Sequence, residues 1–165
     1  MVNYTARLIE DTQKVTRKYC GFTLVELLLA LVVSGILATL ALNTYSRYMD
    51  RLKTMQARND ILHIQLVIQR YYTVKFKHPE SLGELTEQIP QLDPWGNPYQ
   101  YLNITTTKGK GKIRKDHNLV PLNTDYDLYS MGKDGKSVSP LTAKASRDDI
   151  VRANNGGFIG LASEY

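Results

Sequence analysis

The chain contains one long and almost unbroken apolar segment near its beginning. Residues 22–42 are FTLVELLLALVVSGILATLAL, and 16 of these 21 residues are apolar. A helix rises about 1.5 Å per residue, so a helix of this length roughly matches a hydrocarbon core about 30 Å thick. The segment therefore predicts a membrane-spanning helix.

After residue 42 the apolar residues recur at helical spacing and alternate with charged ones. Because residues 36–78 contain neither proline nor glycine, a single helix is predicted from about Phe22 to about Val74. Its second half, residues 43–75, is amphipathic and needs a partner surface such as a sheet. The apolar residues predicted to belong to that core are Tyr45, Tyr48, Leu52, Met55, Leu62, Leu66 and Ile68.

Residues 76–165 have the short, turn-rich pattern of a globular head. A turn and a short helical stretch are predicted at 78–85, ended by Pro90, and the turn residues at 93–98 lead into a strand at 99–104. A second strand is predicted at 125–130, and residues 152–160 are expected to form an irregular loop that docks onto the sheet. The coarse result is an α+β fold with a small antiparallel sheet.

Composition and charge exclude several classes of protein. The 165 residues are 42% apolar and 22% charged, which is ordinary for a globular chain. The net charge of +5 is small, and the basic run at 108–115 has no interleaved aromatic residues, so nucleic-acid binding is not expected. That run is interpreted as a solvated hairpin tip, with an acidic partner or anionic lipid as the alternative. The only cysteine, Cys20, cannot form an intramolecular disulfide.

Glu26 is chemically unusual within the apolar segment. An ionised carboxylate near the end of an apolar helix costs on the order of a few kcal/mol unless a cation compensates it. Three interpretations are open: a cleaved secretory signal, a plain single-span anchor, and an anchor processed at its polar front end. A cut between Gly21 and Phe22 would create an α-amine that could reach Glu26 of the same or a neighbouring copy. Otherwise, Glu26 would reach back to interfacial water.

The residues around Glu26 resemble a known processing signal. A basic leader, the motif GFTLVE at residues 21–26 and the following apolar run look like the class III signal of type IV pilins and pseudopilins. The resemblance implies that a prepilin peptidase removes residues 1–21 as a leader and methylates the new N-terminus at Phe22. It also implies that Glu26 neutralises the amine of a neighbouring copy during filament assembly.

Acidic residues near the C-terminal end form a candidate ion site. Asp134 and Gly135 are followed by Ser146, Asp148 and Asp149. Carboxylates drawn onto one loop repel one another without a counter-ion, and calcium prefers six to eight oxygen ligands. The spacing is not that of an EF-hand. The alternative is a simple turn at Asp134, with Ser146 and Asp149 forming a helix capping box.

Three further stretches extend the resemblance over most of residues 21–150. They are DPWGNPYQY at 93–101, LYSMGKDG at 128–135 and DDI at 148–150, and with the signal they look like the major pseudopilin family of type II secretion systems. The resemblance implies a type IV pilin-like fold in which the long helix packs on the sheet of the head. It also implies a calcium ion in the C-terminal loop, held by the carbonyl of Met131 and by Asp134, Ser146, Asp148 and Asp149.

The resemblance further implies a structural role and no enzymatic activity. The subunit is expected to cross the inner membrane once, with its head in the periplasm, and to stack with its own copies into a pseudopilus. Expected partners are minor pseudopilins, the inner-membrane assembly platform and the prepilin peptidase. Two alternatives stay open: a surface type IV pilin for adhesion or motility, and a membrane-anchored periplasmic binding module or enzyme.

Overall fold

The computed structural model describes residues 21–109, 111–117 and 120–165. The predicted leader therefore lies outside the described residues except for Gly21. The chain divides into two units, one ending at Asn43 and the other covering Thr44–Tyr165. The helix α1 (Leu24–Lys75) contributes residues to both units.

The predicted long helix is confirmed within two residues at its start and one at its end. It continues through Gly35 and Asn43. The hydroxyl groups of Ser34 and Thr39 donate hydrogen bonds to the carbonyl groups four residues earlier, at 2.7 and 2.9 Å. Both hydroxyl donors in the apolar half are therefore satisfied within the helix, as a membrane environment requires.

Among the described residues, six strands follow the helix. In chain order they are β1 (Gln100–Asn103), β2 (Lys115–Asp116), β3 (Val120–Pro121), β4 (Tyr126–Ser130), β5 (Ile150–Ala153) and β6 (Phe158–Leu161). Strands β1, β4, β5 and β6 form an antiparallel sheet in that order, while β2 pairs with β3. The predicted strands at 99–104 and 125–130 correspond to β1 and β4. Short 3₁₀ helices occupy Leu82–Glu84, Lys144–Ser146, Asn154–Gly156 and Ala162–Glu164.

The main core lies between the second half of α1 and one face of the sheet. Its fully or nearly fully buried members are Ala57, Ile61, Ile64, Val67, Ile68, Ile89, Tyr99, Tyr126, Leu128, Ile150 and Ile159. The helix contributes small or β-branched residues at spacings of one to four, which form one face of the helix. The α+β architecture expected from the sequence is thus confirmed.

The predicted core face of this helix is wrong for six of its seven residues. Only Ile68 is buried, and the others are 40–64% exposed, namely Tyr45, Tyr48, Leu52, Met55, Leu62 and Leu66. The helix carries two apolar faces. The face that packs on the sheet is the one with the β-branched residues Ile61, Ile64, Val67 and Ile68. The residues from Tyr48 to Leu66, called here the exposed stripe (Tyr48, Leu52, Met55, Leu62, Leu66), lie at spacings of three, four and seven.

The C-terminal end forms strands, which corrects the prediction of an irregular loop. All four residues of β5 are buried, because the strand has covered faces on both sides. Ile150 belongs to the main core, while Val151 and Ala153 pack with Leu122, Leu141 and Ala162 in a second cluster. A strand buried on both faces shows no polar alternation, so its sequence lacks the usual period of two.

Candidate functional site

The N-terminal candidate site is a short segment at the start of α1. Phe22 is 82% exposed. Thr23 donates two hydrogen bonds to Glu26 Oε2, from its backbone amide and its hydroxyl, both at 2.8 Å. The amide of Glu26 donates back to the Thr23 hydroxyl at 3.2 Å. These three bonds form a capping box, in which a threonine and the glutamate three residues later satisfy free amides at a helix start.

Thr23 is the residue that sequence reasoning missed at this end. The signal was present as the spacing T-x-x-E, which is typical of a capping box. Thr23 donates two neutral hydrogen bonds to the Glu26 carboxylate. From the sequence, only a cation or water is expected as the partner of this carboxylate. Glu26 is therefore oriented before any second copy meets it, while its negative charge is not neutralised.

The C-terminal candidate site is the loop between β4 and β5, residues 131–149. Asp134 and Gly135 form the predicted turn, with Gly135 at a φ of +64°. The amide of Asp134 donates to Asp148 Oδ2 at 3.0 Å, so the two ends of the loop meet. A Cβ on Gly132 would lie 2.2 Å from the Asp148 carbonyl oxygen, so only glycine fits at this crossing.

The other two predicted ligand side chains already have protein partners. The Ser146 hydroxyl accepts from the Val138 amide at 3.0 Å and donates to the Val138 carbonyl at 2.8 Å. Ser146 is the last residue of a 3₁₀ helix, so the capping-box alternative is wrong. Asp149 Oδ2 accepts from the Ser137 hydroxyl at 2.6 Å and from Arg114 Nη2 at 2.5 Å.

Arg114 is the second functional residue that sequence reasoning missed. It belongs to the basic run interpreted as a solvated tip, which is correct for the exposed Lys108 and Lys112. Arg114 itself is 2% exposed, so the interpretation is wrong at this position. Its guanidinium contacts the Ser137 hydroxyl, the Val138 carbonyl and Asp149. Nothing in the local sequence pattern separates Arg114 from its basic neighbours.

The electrostatics of Asp149 follow from its burial. This carboxylate is fully buried, and burial raises its pKa to about 6, although Ser137 and Arg114 act in the opposite direction. Asp149 Oδ1 and Arg114 Nε are buried atoms without a hydrogen-bond partner among the described residues. The loop thus holds a strongly desolvated ion pair. Arg114 Nη2 binds Asp149 Oδ2, whereas Arg114 Nε and Asp149 Oδ1 are left without a hydrogen bond in the described part of the chain.

The turn at residues 93–98 is hydrogen-bonded to the start of the loop and to the end of β4. Asp93 Oδ1 accepts hydrogen bonds from the amides of Trp95 and Asn97, at 3.0 and 2.8 Å. Its other oxygen accepts from the Ser130 hydroxyl at 2.5 Å, and Asn97 Nδ2 donates to the Gly132 carbonyl at 3.0 Å. These side chains position the crossing at Gly132.

The predicted ligands do not fit a calcium ion in this arrangement. Calcium takes six to eight oxygens, mostly from carboxylates and carbonyls. The Ser146 hydroxyl is fully engaged, and a guanidinium occupies one oxygen of Asp149. Among the described residues, no three histidine, cysteine or carboxylate side chains are grouped to hold a metal. Calcium binding stays a prediction.

Comparison with known proteins gives one matching family model and a set of relatives that share one name. A family model described as "Prokaryotic N-terminal methylation motif" matches residues 16–42. The protein named "Type II secretion system core protein G" of Pseudomonas aeruginosa is 33% identical over 140 residues, covering 73% of this chain and 87% of the relative. Proteins of the same name from Aeromonas hydrophila and Vibrio cholerae are each 27% identical, covering 87% and 86% of their lengths. No solved structure matches the chain with significance.

Proposed function

This chain belongs to the core protein G family of type II secretion systems, and we propose that it assembles into the pseudopilus through its N-terminal helix to drive protein export across the outer membrane. The protein is a structural subunit of the pseudopilus and not an enzyme. In the proposed pathway a prepilin peptidase cuts between Gly21 and Phe22 and methylates the new amine of Phe22. The match to the methylation motif at residues 16–42 spans this bond.

One observation carries the assembly proposal: the described residues of the first unit are all exposed, yet they include the acid Glu26. All described residues up to Asn43 are exposed. One helix among the described residues is long and apolar enough to cross a membrane, and its apolar window lies near the N-terminus. Apolar surface of this extent is stable only in lipid or against other copies. Glu26 lies at the start of this surface.

The charge on Glu26 provides the specific contact between neighbouring copies in the proposed assembly. Thr23 satisfies Glu26 Oε2 with two neutral donors, but the net negative charge has no cation among the contacts of the described residues. Inside an apolar environment an unpaired charge is unfavourable, so a cation from a neighbouring subunit stabilises the assembled state selectively. The free amine of Phe22 in the next copy is the cation that the proposed processing creates.

The exposed stripe supports a second assembly contact, along the second half of α1. Its five residues repeat at spacings of three, four and seven, which is the pattern that packs one helix against another. Met55 is 61% exposed and Leu66 58% exposed. We propose that a neighbouring copy covers this stripe in the pseudopilus.

The protein is anchored in a membrane and takes part in a pseudopilus. We propose more specifically that it crosses the inner membrane once, with its head in the periplasm. The proposed partners are further copies of the chain, minor pseudopilins, the inner-membrane assembly platform and the prepilin peptidase. The alternative as a surface type IV pilin is not favoured, because the relatives are named as secretion-system proteins.

The test of this function separates the charge of Glu26 from its capping role. In Glu26→Gln the amide oxygen still accepts from Thr23, but the charge is lost. We expect the variant to be inserted and processed, with pseudopilus assembly and secretion reduced roughly tenfold or more. Assembly is measured as sheared pseudopili, and processing as the intact mass of a chain that begins at a methylated Phe22.

Two control variants complete the experiment. Thr23→Val removes one of the two donors to Glu26 Oε2 while keeping the charge, and we expect it to reduce assembly less than Glu26→Gln does. Glu164→Gln removes an exposed acid at the other end of the chain and should have no effect. Normal pseudopili and normal secretion in Glu26→Gln would contradict the proposed role of the charge.

A further inference from the structure

Arg114 places a permanent positive charge in the loop that the family resemblance assigns to calcium. Its side chain is 3% exposed and that of Asp149 is fully buried. The guanidinium reaches oxygens at two positions along the loop: Nη1 contacts the Ser137 hydroxyl and the Val138 carbonyl, and Nη2 contacts Asp149. A hydroxyl, a backbone carbonyl and a carboxylate are the oxygen types that a calcium ion would use.

The backbone and the ring beneath Arg114 hold it in this position. Its amide donates to Asp127 Oδ2 at 2.7 Å, and its carbonyl accepts from the Leu122 amide at 3.0 Å. The guanidinium carbon lies 4.3 Å from the centre of the Tyr129 ring. Strand β4 provides both Asp127 and Tyr129, so the arginine is anchored to the sheet as well as to the loop that it closes.

The chain after Arg114 also pairs with the loop. The amide of Lys115 donates to the Ser139 carbonyl at 2.9 Å, and the Leu141 amide donates to the Lys115 carbonyl at 3.1 Å. The basic run and the long loop therefore form one unit. Of the cations in the basic run whose structure is described, Arg114 is the buried one.

We propose that the Arg114 guanidinium takes the place of a calcium ion in this head, so that the loop between β4 and β5 closes on a side chain and its stability does not depend on calcium. A cation beside Asp149 repels a divalent ion that would bind the same carboxylate. The Ser146 hydroxyl, a second predicted ligand, is already engaged on both sides by Val138. The proposal does not depend on the assembly role of the N-terminal helix.

The two unpaired atoms of the site are consistent with this assignment. Arg114 Nε and Asp149 Oδ1 belong to the two partners of one ion pair. In a bidentate pair the Nε and one Nη of arginine bind the two oxygens of a carboxylate together. A reorientation of the same two side chains into this bidentate arrangement would therefore satisfy both atoms without any other ligand.

The first experiment needs no variant. The native full-length protein, purified in detergent, is melted with excess calcium chloride and with EDTA while the emission of Trp95, the only tryptophan, is recorded. Trp95 packs against the main core and so reports on the head. We expect the two melting temperatures to agree within about 1 °C, because nothing binds the native state selectively. A melting temperature raised by calcium would overturn the proposal.

The second experiment removes the guanidinium. Arg114→Met keeps much of the side-chain volume but leaves Asp149 buried without a cation, and we expect the melting temperature to fall by roughly 10 °C. The matched control is Arg70→Met, which breaks the exposed ion pair with Glu87 and should melt within about 2 °C of the native protein. Equal melting of the two variants would overturn the proposal.

A double variant keeps the test informative if Arg114→Met does not fold. Arg114→Met combined with Asp149→Leu replaces both charges with apolar groups, so no buried charge is left without a partner. We expect the double variant to recover at least about half of the fall in melting temperature caused by Arg114→Met. Its melting temperature should again be the same with calcium and with EDTA. Failure of the double variant to exceed Arg114→Met would show that Asp149 does not act through Arg114 and would overturn the proposal.

Discussion

Two arginines in the head are buried to nearly the same extent but are bound in different ways. Arg114 is 2% exposed and Arg152 is 3% exposed. Arg152 binds Asp125 through two nitrogens, at 2.9 and 2.7 Å, and its Nε donates to Gln65 on α1 at 2.8 Å. Arg114 reaches its carboxylate through one nitrogen, and its Nε has no partner among the described residues.

The two carboxylates show the consequence of this difference. The pKa of Asp125 is lowered, because the hydrogen bonds from Arg152 and the backbone outweigh the opposing effect of burial. The pKa of Asp149 is raised to about 6, because full burial outweighs Ser137 and Arg114. Asp125 keeps part of its surface in water, whereas Asp149 keeps none. In this head the arginine therefore stabilises its charged acid more strongly where it binds through two nitrogens and the acid stays partly hydrated.

The largest effect is expected from Arg152→Met. The substitution removes the bridge between α1 and β5, leaves the Tyr126 carbonyl without its donor, and removes a cation that lies 3.9 Å from the centre of the Tyr126 ring. We expect a loss of about 4 kcal/mol in the free energy of unfolding, in the middle of the range for breaking a buried pair. Denaturant unfolding of the full-length protein measures it. A loss no greater than that of Arg114→Met would contradict the comparison.

The sequence predicted the parts of the fold that depend on local pattern. The long helix, β1, β4 and the turn at Asp134 follow from periodicity and turn residues, and each was located within about two residues. Local pattern could not choose between the two apolar faces of α1, because that choice depends on the sheet that packs on the helix. It also missed β5, whose two buried faces remove the alternation that marks a strand.

The two candidate sites differ in the same respect: local pattern predicts the N-terminal site, whereas the C-terminal site depends on contacts between distant residues. Gly21, Phe22 and Glu26 lie within six residues of one another, and the motif around them predicts the N-terminal site. The C-terminal site depends on Arg114, which lies 35 residues before Asp149 in the chain. The residue after Arg114, Lys115, pairs with Ser139 and Leu141, and no spacing rule in the sequence predicts such a contact. The predicted ligands were brought into one loop, but their partners could not be predicted.

The free energy of unfolding should depend on pH differently in the native protein and in Arg152→Met. Because the pKa of Asp125 is lower in the folded than in the unfolded chain, its contribution to stability is fully present above about pH 4 to 5 and is lost as the pH falls through the folded pKa. In Arg152→Met the acid loses this cation, so its pKa returns toward the unfolded value. We expect the native protein to lose stability more steeply than the variant between about pH 5 and about pH 3. Parallel curves in denaturant titrations across this range would contradict the role of Arg152.

The smallest effect is expected where an arginine contacts a ring. Tyr129→Leu removes the face on which the Arg114 guanidinium rests at 4.3 Å but keeps an apolar side chain in the second cluster. Cation–π contacts contribute about 0.5 to 2 kcal/mol, so we expect a loss of about 1 kcal/mol from unfolding measurements. Tyr126→Leu should cost more, because that ring also lies 5.2 Å from His78 and 5.5 Å from Tyr101. Tyr129→Phe retains the ring and is the control. If Tyr129→Leu lost more than Tyr126→Leu, the ring beneath Arg114 would be the stronger support, and the ranking of the two arginines would be reversed.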